Sequence, residues 1–180
     1  MPKEQLERHV AQYLDRRDEF LSAAEQYGSP LYVLETDVLK DRARTFLSAF
    51  AAELPDIGVY YALKSNNLPM VVRTIVEEGL GLDVSSGLEL ELALDCGAEE
   101  IIFSGPGKTD DELCSALAHA DRVIVLMDSL GEMARLERLA ACCGTTIRAG
   151  VRLMTGHARR AVIQYNEEKV VLVVDGVGQG

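Results

Sequence analysis

Basic charge, paired cysteines and long apolar runs are all scarce in this sequence, and each shortage removes a class of function. Its 18 lysines and arginines face 29 acids, a formal net charge of −11. No basic patch reverses that balance, so neither nucleic acid nor an anionic membrane is an expected partner. The amino-terminal MPKEQLERHVAQYLDRRDEF is charged throughout, and no later segment approaches the ~20 apolar residues of a membrane span. A cytoplasmic protein without signal peptide is expected. Cys96, Cys114, Cys142 and Cys143 contain no C-x-x-C spacing, and His9, His119 and His157 have no partner spacing. No metal site is expected, and the cysteines read as small core residues.

What is present suits one globular domain: 180 residues, 48% of them apolar. Leu6, Val10, Leu14 and Leu21 lie at near-helical spacing over residues 4–26, Gly28-Ser29-Pro30 interrupts, and LYVLE reads as a short strand. A second helix carries Leu39, Ala43, Phe46, Leu47 and Phe50 on one face. Apolar runs then begin near residues 57, 80, 101, 122 and 146, alternating with helical segments. Asn67 before Pro69, Thr109 with Glu112 and Ser129 with Glu132 mark helix starts, the last two as capping boxes, and Gly79, Gly97 and Gly144 mark stops. Such βα repeats predict an α/β fold with a parallel sheet, either doubly wound or part of an eight-stranded barrel.

Both architectures gather ligands at the carboxyl ends of the strands. Lys64, in the stretch VYYALKSN, ends the first strand of the series, Asp83 to Ser86 end the second, Ser104 to Lys108 the third, and Arg152 the fifth. A lysine at that edge either escapes to solvent or uses its amine chemically. SGPGKT, residues 104–109, is not a nucleotide phosphate loop, because Ile102 stands where that motif needs a glycine. It reads as a strand-to-helix turn or as a backbone anion site. Asp83 could merely begin a turn, and Arg152 could merely be solvated.

YYALKSN, then GLGLDVSSGLELELALDCGA and IIFSGPGKTDDEL, with GSPLYVLETDVLKDRARTF upstream, resemble the fold-type III pyridoxal-phosphate decarboxylases, the group of diaminopimelate, ornithine and arginine decarboxylases. The resemblance runs from about residue 27 to about 155. It implies a partial (β/α)8 TIM-like barrel of the alanine racemase and decarboxylase type, with five or six of eight βα units. It also implies pyridoxal 5'-phosphate held by Lys64 as a Schiff base, with Asp83 and Arg152 orienting and polarising lysine and cofactor. Partial burial would favour the neutral amine that Lys64 needs to attack a carbonyl. The activity implied is loss of the Cα carboxylate of a small amino acid, most like diaminopimelate, in a homodimer. A non-catalytic fragment, a racemase or a cofactor carrier are the alternatives.

The boundaries expected are 1–55 for the entry helices and short strand, 56–153 for barrel units, and 154–180 for an atypical tail adding at most one strand, KVVLVVDGV. Only 24 residues follow Gly156, where the family continues with further strands and a β domain, so the sequence reads as truncated, frameshifted or a fragment. A half-open barrel leaves sheet edge and apolar surface uncovered. Light scattering after gel filtration should therefore find self-association or aggregation; a monodisperse monomer with a cooperative melt would overturn that expectation.

Overall fold

The computed structural model describes residues 2–54 and 57–152, and the backbone of 161–165 and 169–173. The chain divides at Glu35 into two units. In the first, helices α1 (Lys3–Leu14) and α2 (Arg17–Tyr27) replace the single expected helix. The break falls in the charged run Asp15 to Asp18, where no apolar side chain holds a continuous face. Arg16, at the break, instead pairs with Glu19 and Glu35. LYVLE is not a strand: residues 31–35 have the composition of one, but among the described residues no neighbouring strand takes their hydrogen bonds.

In the second unit α3 (Thr36–Ala51) is followed by β1 (Tyr60–Ala62), a single 3-10 turn (Leu63–Ser65), α4 (Pro69–Glu77), β2 (Gly81–Val84), α5 (Gly87–Asp95), β3 (Ile101–Phe103), α6 (Asp110–Ala118), β4 (Val123–Met127), α7 (Leu130–Cys143) and β5 (Arg148–Val151). Because α3 places Ala43 in the core and packs Leu39 against it, this helix belongs with the βα units, twenty residues before the boundary suggested by sequence. Five parallel strands pair in strictly sequential order, β1-β2-β3-β4-β5. A doubly wound sheet reverses its strand order at a switch point; this one does not. Its progression is that of a barrel wall, and among the described residues it does not close.

Alternation along the strands sorts the side chains. Leu82, Val84, Ile101, Phe103, Val123 and Val125 enter the main core with Val72, Leu90, Leu113 and Leu136 of the crossover helices. Ile102, Ile124 and Leu126 form a smaller cluster with Tyr60 on the opposite face. Every residue of β3 and β4 is buried, as a parallel strand covered on both sides requires. The helix starts lie where the sequence placed them, with two changes. Neither Asn66 nor Asn67 caps α4, whose N-cap is Leu68 without a side-chain bond; the Asn66 side-chain oxygen makes a turn just before it by accepting from the Leu68 N–H at 3.0 Å. Thr109 and Glu112 complete a full capping box, whereas at α7 only Ser129 does its half. Glu132 turns away to accept from the Asp128 N–H and from Lys108.

Lys108 explains that departure. The residue is 2% exposed, and the ammonium donates to the Gly105 carbonyl (2.6 Å), the Leu126 carbonyl (2.6 Å) and Glu132 Oε1 (3.1 Å). Three donors meet three acceptors, which is the condition for keeping a buried ammonium. The SGPGKT turn is thus knotted to the end of β4 by the lysine that a phosphate loop would have aimed at a ligand. Gly107 takes the left-handed conformation (φ 71°), and a Cβ on Gly105 would run into the Ser85 carbonyl.

Two of the four cysteines meet the expectation of core residues: Cys96 and Cys114 are half-buried and pack against the main core, whereas Cys142 and Cys143 are exposed at the end of α7. The described part of the tail forms two strands rather than one, β6 (Ala161–Tyr165) and β7 (Lys169–Val173), paired antiparallel with each other. The rest of it lies outside the described residues.

Lys108→Met would leave the Glu132 carboxylate buried without its counter-charge, a change that costs about 3–5 kcal/mol. Urea unfolding should show that loss, and Lys108→Met with Glu132→Leu should be less destabilised than Lys108→Met alone.

Candidate active site

Because all five strands run the same way, their carboxyl ends make one rim. Lys64 stands on the 3-10 turn that follows β1. Neighbours pin that turn: Leu63 is fully buried, the Ser65 hydroxyl donates to the Ala62 carbonyl (2.7 Å), and the Tyr61 hydroxyl donates to the Asn66 carbonyl (3.1 Å). The lysine side chain itself is exposed, as one of the two readings of the sequence allowed. Its anchor residue takes the burial instead. Among the described residues its amine makes no hydrogen bond or ion pair.

Asp83 lies on β2, its Cα in register with Ala62 on one side and Ile102 on the other. Its Oδ1 accepts from the Ser104 hydroxyl just past β3. Burial pushes the Asp83 carboxyl above its ordinary pKa and Glu89 adds to that, while the Ser104 hydroxyl, Lys64 and Arg152 oppose it. Burial wins.

Arg152 follows β5, its N–H extending the β4 pairing by donating to the Met127 carbonyl (2.9 Å). The guanidinium reaches back across the rim, and Nη2 donates to the Ser104 carbonyl at 2.8 Å. Nε is buried and, among the described residues, makes no hydrogen bond, although it lies 3.3 Å from Asp128 Oδ1 in an ion pair. The sequence thus named three residues, Lys64, Asp83 and Arg152, that the fold brings to one electrostatically coupled cluster. It missed Ser104 as their connector and Asp128 as the partner of Arg152. The available signal for Ser104 was its place two residues beyond Ile102, on the same sheet face as Asp83.

An uncommitted amine, a carboxylate and a guanidinium on the carboxyl rim of a parallel sheet are a constellation for covalent capture of an anionic carbonyl compound. Residues 39–169 match the pyridoxal-binding domain of the pyridoxal-dependent decarboxylases. The chain belongs to that family. Curated relatives include the diaminopimelate decarboxylase of Bacillus subtilis, 39% identical over 138 residues that make up 76% of this chain and 31% of the relative. The Aquifex aeolicus diaminopimelate decarboxylase is 34% identical over 132 residues, 72% of this chain and 30% of that one. Among solved structures, diaminopimelate decarboxylase from M. jannaschii in co-complex with L-lysine superposes with a TM-score of 0.65 at 27% identity, covering 73% of this chain and 31% of that one. Lysine/ornithine decarboxylase from Vibrio vulnificus complexed with putrescine gives 0.63 at 30% identity, covering 76% and 36%. The chain therefore spans about a third of the length of these decarboxylases, and its open five-stranded sheet corresponds to part of their TIM-like barrel.

The raised Asp83 pKa carries a sign for stability. A carboxyl that binds its proton more tightly when folded costs nothing below the unfolded value, near 3.9. The cost grows as pH rises from there through the higher folded value and is complete above it. Asp83→Asn should therefore raise the melting temperature at pH 7 by a few degrees, and the difference should shrink towards pH 3. A lower melting temperature for the variant at pH 7 would show instead that Lys64 and Arg152 outweigh burial.

Proposed function

We propose that this chain provides the cofactor-bearing rim of a pyridoxal-phosphate-dependent amino-acid decarboxylase of the diaminopimelate type, with Lys64 as the amine that takes the cofactor aldehyde. The observation that carries this is the convergence of Lys64, Asp83 and Arg152 at the ends of β1, β2 and β5. The donor set fits pyridoxal phosphate: among the described residues the Lys64 amine makes no hydrogen bond, and the half-buried Arg152 guanidinium has an Nε that makes none. When bound, the cofactor supplies an electron sink for the bond to the departing carboxylate.

The chain's own groups do the rest. Lys64 must shed a proton from Nζ before attacking, and its exposed position lets water take that proton. Asp83 supplies negative charge on the strand next to the one that leads into Lys64. Arg152, fixed through Ser104 and Asp128, offers positive charge to an anionic oxygen. Diaminopimelate as substrate is favoured by the relatives from B. subtilis and A. aeolicus, which carry that activity in their names. A homodimer and a cytoplasmic location belong to the same proposal; the net charge of −11 is compatible with both. Among the described residues no helix is long and apolar enough to cross a membrane.

Incubation with pyridoxal phosphate, reduction with borohydride and peptide mapping by mass spectrometry should place the adduct on Lys64, and Lys64→Ala should abolish it. Adducts scattered over other lysines, with Lys64 no more labelled than they are, would overturn the assignment.

A further inference from the structure

Arg152 is held on the rim by two acceptors from different loops: the Ser104 carbonyl, 2.8 Å from Nη2, and Asp128 Oδ1, 3.3 Å from Nε. Among the described residues Nη1 makes no hydrogen bond, so that end of the guanidinium is the one available to a ligand. A long, flexible arginine at a strand end would ordinarily be solvated. Here the side chain is 20% exposed, and both of its acceptors are tied down from behind by one residue.

That residue is Glu132, buried in the first turn of α7. Its spacing from Ser129 would let it close a capping box on the Ser129 N–H, yet its carboxylate oxygens turn elsewhere. Oε2 accepts from the Asp128 N–H at 2.9 Å, which fixes the backbone of the residue whose carboxylate meets Arg152 Nε. Oε1 accepts from Lys108 at 3.1 Å, and the same ammonium donates at 2.6 Å to the Gly105 carbonyl, one peptide beyond the carbonyl that meets Arg152 Nη2. Gly105 is pressed against the Ser85 carbonyl with no room for a Cβ, so it cannot give way on that side.

We propose that Glu132 is a positioning residue: with Lys108 it sets both acceptors of Arg152, and so aims the guanidinium at an anionic oxygen of the bound molecule. This rests on the cofactor-binding reading above, and deepens it. The other acids near the rim are engaged elsewhere, Glu89 with the Ser85 N–H at 2.7 Å and Asp83 with the Ser104 hydroxyl. Among the described residues no other side chain fastens the guanidinium. Glu132 thus gives up a helix cap of its own and fastens the rim instead.

Phenylglyoxal modifies guanidino groups, and one held in a hydrogen bond and an ion pair reacts slowly. The test follows Arg152 modification by peptide mass spectrometry in wild type and in Lys108→Met with Glu132→Leu, replaced together so that no buried charge is left alone. Arg152 should react roughly tenfold faster in that variant, as loss of one hydrogen bond to a charged group implies. Arg122 and Arg148, partly buried at the amino ends of β4 and β5 and each hydrogen-bonded there, should keep their rates. A fold that was merely destabilised would speed all three. Glu132→Gln, with the same shape but one acceptor fewer, serves if the double variant does not melt cooperatively, and should also speed Arg152. An unchanged Arg152 rate, or an equal rise at all three arginines, overturns the proposal.

In borohydride trapping, the pyridoxal phosphate concentration that half-labels Lys64 should rise in the double variant, and the same two substitutions should add nothing to Arg152→Met. A further rise on top of Arg152→Met would also overturn it. The phenylglyoxal rates need no cofactor, so failure of pyridoxal phosphate to label wild-type Lys64 would sink the cofactor reading alone.

Discussion

Parallel pairing in sequential order is the constraint on which everything else here depends. Each strand must end where its neighbour ends, and each chain must then turn outward into a crossover helix. The apolar residues of β3 and β4 are spent on both faces of that wall. Polar chemistry is left with one place to go, the rim just beyond the last ladder hydrogen bond. Lys64, Asp83, Ser104, Asp128 and Arg152 all stand at or next to that limit.

A rim built of strand-to-helix turns would be soft unless its turns were fastened, and here two buried or half-buried acids do the fastening. Glu112 accepts from the Gly87 N–H (2.6 Å) and from the Thr109 N–H (2.8 Å), tying the start of α5 to the start of α6. Glu132 joins α7 to the SGPGKT turn through Lys108. Farther out, Asp110 on α6 accepts from Arg135 and Arg138 of α7, both at 2.8 Å. The exposed pairs add little to stability, whereas the buried Lys108 knot sets the position of the loop that begins with Ser104. Structural charges thus stand one layer behind the reactive ones.

The architecture was legible because its signals are local. The 21 to 24 residue rhythm of apolar runs, the Ser and Thr caps and the stop glycines each report on a few consecutive residues, and the structure places four helices of the sheet unit between strands where those signals fell. The motif around Lys64 and Asp83 was legible for a different reason, its likeness to a family whose pyridoxal-binding domain it matches. Readings failed where the outcome depended on a distant partner. LYVLE has the composition of a strand but no strand to pair with among the described residues, and Ser129 and Glu132 have the spacing of a capping box but Glu132 is claimed by Lys108.

By itself, then, the sequence determined the βα alternation, the direction of the strands and the presence of a lysine, an aspartate and an arginine at strand ends, since periodicity and turn chemistry act over neighbouring residues. Only the tertiary structure decided that Asp83 would bond a serine rather than either cation, that Lys108 would be a buried anchor, and that Arg152 would cross the rim to the end of β3. Those outcomes join residues 21 to 48 positions apart. They are set by strand register and by the demand of buried charges for partners, neither of which a local pattern contains.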